Sequence, residues 1–215
     1  MKRIGILVCS LFMLGQASER QTDLTPEQAL AQLLEGNKRY VSSQLKHPHQ
    51  DPNRRHDLEK TQHPFACILS CSDSRVAPEI VFDEGLGDLF VVRVAGNIVD
   101  SAVTGSIEYA VEHLGTPIVL VMGHERCGAV QATIEGGEPK THIQSLADAI
   151  APAVASAKTM KGDLVVNAVR ANVQLVVKQL KGSKPILSEQ AGKGKIKIVG
   201  AVYELASGKV TLLSD

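Results

Sequence analysis

Two short segments concentrate the residues able to do chemistry, Cys71-Ser72-Asp73-Ser74-Arg75 and His124-Glu125-Arg126-Cys127-Gly128. Cys71, His124 and Cys127 offer two thiolates and an imidazole, a donor set suited to tetrahedral zinc. Three protein ligands leave a fourth position open, the arrangement of a catalytic zinc as opposed to a closed structural one. Asp73 follows the first thiol, and the guanidinium fork of Arg75 matches a carboxylate bidentately, as a lysine would not. Plainer readings compete. A buried cysteine is often a small core hydrophobe, a strand-end histidine often only makes a structural hydrogen bond, and Asp73 could cap a helix beside a surface arginine. A Cys71–Cys127 disulfide is a further alternative. Cys67, in the middle of its apolar run, is read as core.

The elements that must position these residues follow from the hydrophobic pattern. Phe65 to Cys71, Leu89 to Val94 and Ile118 to Met122 are apolar, largely β-branched runs, the style of strands buried on both faces. Ser101 to Leu114 has helical spacing, and another helix starts near Cys127. Strand alternating with helix predicts a parallel sheet. Residues 141 to 181 read as two helices broken around Lys161-Gly162-Asp163. Ile196 to Leu205 is a further strand, turned by Ser207-Gly208 into a last one at Val210 to Leu213. Both chemical segments therefore close strands, where open α/β sheets place their sites. Gly96 and Asn97 follow the second run and serve its turn.

Ahead of this domain, Thr25, Pro26 and Gln28 form a capping box with proline in the first turn, and Ala29, Leu30, Leu33 and Leu34 share one face of the helix they begin. Residues 42 to 63 are polar and read as an extended arm or surface loop, whose His47, His49, His56 and His63 are irregularly spaced, solvated residues. The expected fold is α/β, with a mostly parallel central β-sheet flanked by helices over residues 64–215 and an N-terminal helical arm over 18–63.

The first residues read as an export signal. Lys2-Arg3 precede an apolar stretch from Ile4 to Leu14, and Gly15-Gln16-Ala17 supplies a cleavage site, giving a signal peptide over 1–17. The apolar run is well short of the ~20 residues a membrane-spanning helix needs, so no membrane attachment is expected after cleavage, and a periplasmic or otherwise extracytoplasmic location is. Cleavage removes Cys9 and leaves Cys67, Cys71 and Cys127, an odd number that suits a disulfide framework poorly. Unpaired thiols outside the cytoplasm need protection from oxidation, which a bound metal gives. Of the 215 residues, 23 are basic and 23 acidic, aromatics make up 3% and tryptophan is absent. Neither a phosphate-backbone binder nor a base-stacking protein is expected from that balance.

CSDSRV and HERCGAV resemble the two zinc-ligand motifs of β-class carbonic anhydrases, and DLFVVRVAGNIVDSAVTGSIEYAVEHLG between them is similar to that family's intervening strand and helix. The resemblance covers about residues 60 to 205. It implies zinc on Cys71, His124 and Cys127, with Asp73 and Arg75 as a catalytic dyad that keeps the metal open when paired. It implies reversible hydration of carbon dioxide to bicarbonate and a proton through zinc-bound hydroxide; carbonic anhydrase is itself the standard example of zinc lowering the pKa of water. Hydrolysis of carbon disulfide or carbonyl sulfide at the same site, and a non-catalytic zinc or bicarbonate-binding protein, are the alternatives. The resemblance also places Gly128 at the substrate pocket, with Phe90 and Tyr109 lining it across a dimer interface, core packing being the alternative for both aromatics, and implies a homodimer or a tetramer built from dimers. Some members close the site through a bicarbonate pocket that depends on a tryptophan; this chain has none, so an open site is expected.

Overall fold

The computed structural model describes residues 24–137 and 141–214; the expected export signal, Cys9 included, lies outside them. Thr25 caps the first helix, α1 (Pro26–Val41): its hydroxyl accepts the Gln28 N–H at 3.2 Å while Gln28 Oε1 accepts the Thr25 N–H at 2.8 Å. Each satisfies a donor that a helix start otherwise leaves bare. The next helix, α2 (Pro52–Asp57), corrects the reading of residues 42–63 as an arm without helix. Asp51 caps it, accepting from Asn53 and Arg54, and none of its residues is buried. With no apolar face it carries no periodicity to read.

The domain then runs β1 (Ala66–Ser70), α3 (Pro78–Val81), β2 (Leu89–Arg93), a one-turn 3-10 segment at Ala95–Asn97, α4 (Ser101–Glu112), β3 (Ile118–His124) and α5 (Gly128–Glu135). It continues through α6 (Ile143–Ala157), α7 (Leu164–Gly182), α8 (Ile186–Gly192), β4 (Lys197–Tyr203) and β5 (Val210–Leu212). The short α3 and α8 were not expected from the sequence. Among the described residues the strands form one sheet in the order β2-β1-β3-β4-β5, parallel except for the last pair. The α/β class and the mostly parallel sheet stand as expected.

Strand alternation divides the core. Cys67, Leu69, Val119, Val121 and Ile198 face α4, α7 and α8, whereas Ala66, Ile68, Leu120, Met122 and Ala201 face α1 and α3. β1 and β3 are buried along their whole length, which is why both read as unbroken apolar runs. A third cluster, from α5, α6 and α7, gathers around Cys71 and Cys127.

The arm is tied down by polar groups. Asn37, buried on α1, donates to the carbonyls of Val81 and Gly208 at 3.0 and 2.8 Å and accepts the Val210 N–H at 2.8 Å. Beside it α1 presses so closely that a Cβ on Gly36 would lie 1.8 Å from the Phe82 carbonyl oxygen. Further along, Asp83 pairs with Arg39 and accepts the Lys46 and His47 N–H groups. Asp88 holds His49 at 2.7 Å and Arg54 at 3.1 Å. His49 is thus half-exposed but hydrogen-bonded to Asp88 of the domain, a correction to its reading as a freely solvated residue.

Candidate metal centre

The sheet order reverses at β1, since the chain goes out to β2 and returns to the other side of β1 as β3. A crevice opens at the carboxyl ends of strands where a parallel sheet reverses in this way. Cys71 follows the last residue of β1, His124 is the last residue of β3, and Cys127 is the N-cap of α5. Their ligand atoms lie within 4.8 Å of one another, and all three residues are buried.

The two sulfurs are 4.0 Å apart and both cysteines are free. That is about twice the S–S bond length of roughly 2.0 Å, so the disulfide alternative is not realised. Two sulfurs sharing a tetrahedral zinc at about 2.3 Å each would stand roughly 3.8 Å apart, close to the spacing present. His124 supplies the sharper test. Its Nδ1 donates to the Glu125 carbonyl at 2.8 Å, so Nε2 carries the lone pair. That Nε2 is fully buried and has no hydrogen-bond partner. A buried, unpaired acceptor is costly, and a cation between the two thiols relieves it. The residues fit a zinc ion.

Electrostatics favour one thiolate even without a metal. The Cys127 side chain, then His124 and the Gly96 and Asp73 N–H groups, draw the Cys71 thiol down to about 4 against the opposing effect of burial. The Cys127 thiol is pushed up by its Cys71 neighbour and by burial.

Asp73 overlooks the cluster, with Oδ2 3.8 Å from His124 Nε2. Arg75 clamps it at both oxygens, Nε to Oδ1 at 2.9 Å and Nη2 to Oδ2 at 2.7 Å, and the Arg75 N–H adds a third bond to Oδ1 at 3.0 Å. The Arg75 side chain holds the Asp73 carboxyl well below the usual carboxylate range.

Comparison with known proteins agrees with this geometry. The family profile described as carbonic anhydrase matches residues 66–210. A carbonic anhydrase of Mycolicibacterium smegmatis is 40% identical over 193 residues, covering 88% of this chain and 94% of the relative. Carbonic anhydrase 2 of Mycobacterium tuberculosis is 40% identical over 191 residues, 87% of this chain and 92% of the relative. The solved Coccomyxa β-carbonic anhydrase, in complex with acetazolamide, superposes with a TM-score of 0.67 at 28% identity, covering 86% of each chain. The chain belongs to the β-class carbonic anhydrases. It is accordingly an enzyme of the lyase class, in a family whose general reaction is hydration of carbon dioxide.

Within this carbonic anhydrase the remaining expected residues divide. Gly128 opens α5 beside Cys127, exposed and with open space where a Cβ would stand. Phe90 and Tyr109 meet each other, their ring centroids 6.2 Å apart, but not the cluster. Phe90 is level with Cys67 on the neighbouring strand, four residues short of Cys71, or about 13 Å along the strand. Sequence reasoning missed Arg93, whose side chain donates to the Cys71 and Asp73 carbonyls at 3.1 and 2.7 Å. A cation closing the apolar run Leu89–Arg93 was the available signal. It also missed that Gly96, read as a turn residue, donates its N–H to Cys71 Sγ at 3.3 Å. No sequence pattern announces that bond.

Proposed function

We propose that this chain is a zinc enzyme catalysing the reversible hydration of carbon dioxide to bicarbonate and a proton. Cys71, His124 and Cys127 hold the metal, which when bound supplies an activated water as nucleophile. The observation that carries this reading is the buried, unpartnered His124 Nε2 beside two free thiols.

The chain's own groups do the rest. Held as a carboxylate by Arg75, Asp73 can only accept hydrogen bonds. With zinc bound, Asp73 would therefore take a hydrogen bond from the nucleophile and leave the nucleophile's lone pair for the substrate. Arg75 also keeps Asp73 off the metal position, so the site stays open. The Gly128 N–H, at a helix start, faces an oxygen of the substrate or of the bicarbonate formed from it. Phe90 and Tyr109, too far from their own chain's cluster, complete the pocket of a second copy in a homodimer. β2, at the sheet edge, and the half-exposed Tyr109 ring support that arrangement. The residues at the N-terminus direct export, so the enzyme acts outside the cytoplasm.

The test measures metal content and carbon dioxide hydration together, from pH 6.5 to 9, on the unaltered chain and on Cys127→Ser. One zinc per chain, with hydration that disappears in the variant, is expected. Hydration by a chain free of zinc would overturn the reading.

A further inference from the structure

Gly96 stands between the metal centre and α7. Its N–H donates to Cys71 Sγ at 3.3 Å, while its carbonyl accepts the side-chain N–H of Asn172 at 2.8 Å. The backbone here has φ +71°, and a Cβ would lie 2.7 Å from Ile150 Cδ1. Glycine is therefore required, and glycine leaves the peptide planes on either side free to swing. One of those planes carries the N–H aimed at the sulfur. Asn172 is 1% exposed on a face of α7 otherwise built from Ala168, Val169, Val173 and Val176. Its Oδ1 has no partner, a cost that an apolar side chain would avoid. Only the NH2 end of the amide can face a carbonyl, so the Gly96 carbonyl fixes which way it points.

We propose that Asn172 is a positioning residue for the metal centre: by anchoring the carbonyl of Gly96, in the peptide plane after its Cα, it restrains the residue whose N–H, in the plane before, supports the Cys71 sulfur. Through that ligand it sets how tightly the metal is held and how much electron density the sulfur donates. The inference rests on the zinc reading above. Hydrogen bonds behind a ligand tune a metal site as the ligands themselves do.

The test compares Asn172→Leu, nearly isosteric, and Asn172→Ser, which cannot overpack, with Val173→Ala, a buried change on the same helix. Circular dichroism reports folding, chelator competition gives zinc affinity, and cobalt(II) loading gives the thiolate-to-metal absorption. Both Asn172 variants are expected to bind zinc about tenfold more weakly, the lower end for a residue behind a ligand. Their cobalt absorption is expected to move to longer wavelength, while Val173→Ala melts earlier yet keeps both values. Unchanged affinity and absorption in the Asn172 variants, or equal changes in Val173→Ala, would overturn the inference and leave the zinc reading standing. An unaltered chain that takes up neither metal would overturn both. Coupling between the Gly96 amide proton and bound cadmium-113 in the unaltered chain is a readout needing no variant, and its absence also counts against the proposal.

Discussion

Arg75 reaches Asp73 through three separate N–H donors, and the two side-chain bonds need a planar fork. Lysine keeps the charge but offers a single ammonium point. Arg75→Lys is therefore expected to retain zinc and to lower kcat/KM for hydration by about 10- to 100-fold, the usual range for partners of a metal site. Stopped-flow hydration assays on variant protein of verified zinc content check this, and an unchanged kcat/KM would show that charge alone suffices. A second residue governs stability. Burial, reinforced by the nearby Asp88 charge, pushes the Glu84 carboxyl up to about 7. A raised folded-state pKa gives stability that is complete below the ordinary carboxylate value and lost as pH rises through the folded value. The native chain should thus lose on the order of 3 kcal/mol from this group between pH 4.5 and 8. Glu84→Gln removes that loss, so its melting temperature should exceed the native one at pH 8 and converge on it near pH 5. Parallel melting curves across that range would rule Glu84 out as the source.

At the scale of elements, one buried amide links three pieces that are distant in sequence. Asn37 bonds α1 to the end of α3 and to the β4–β5 hairpin. Asn37→Ala strands three backbone groups at about 1–3 kcal/mol each if they stay dry, so an overall loss near 3 kcal/mol is expected. Urea denaturation at constant slope measures it, and a loss under about 1 kcal/mol would mean that packing alone holds the hairpin. What could be read beforehand followed the same division between apolar pattern and polar contact. The runs that became β1 and β3 are buried on both faces, and the Thr25–Gln28 box is local, so both announced themselves. α2 and α3 are too short for a periodic signal. The placement of Cys71, His124 and Cys127 at strand ends was legible because apolar runs stop there. Arg93, Gly96 and Asn172 were not, because each acts through a backbone carbonyl or N–H brought near only by the tertiary fold.

For the molecule as a whole, the separation between the Phe90–Tyr109 pair and the Cys71–His124–Cys127 cluster is the informative distance. A pocket completed by a second copy makes activity depend on association. Dilution below the dimer dissociation constant, followed by analytical ultracentrifugation, should lower specific activity in step with the monomer fraction. Tyr109→Ala should impair hydration without loss of zinc, by about tenfold if it resembles other groups beyond the ligand set. Full activity from a demonstrated monomer would exclude that arrangement. The donor set has a temporal side as well. Cys71 and Cys127 are separated by 56 positions in the chain, and they meet only once β1 and β3 pair in parallel register. Contacts of such long sequence separation form slowly, because the intervening loop must close before any of them is rewarded. A refolding chain thus has its two thiols together only after its central strands have zipped, and, on the zinc reading proposed above, metal capture would be a clock for the last stages of sheet assembly.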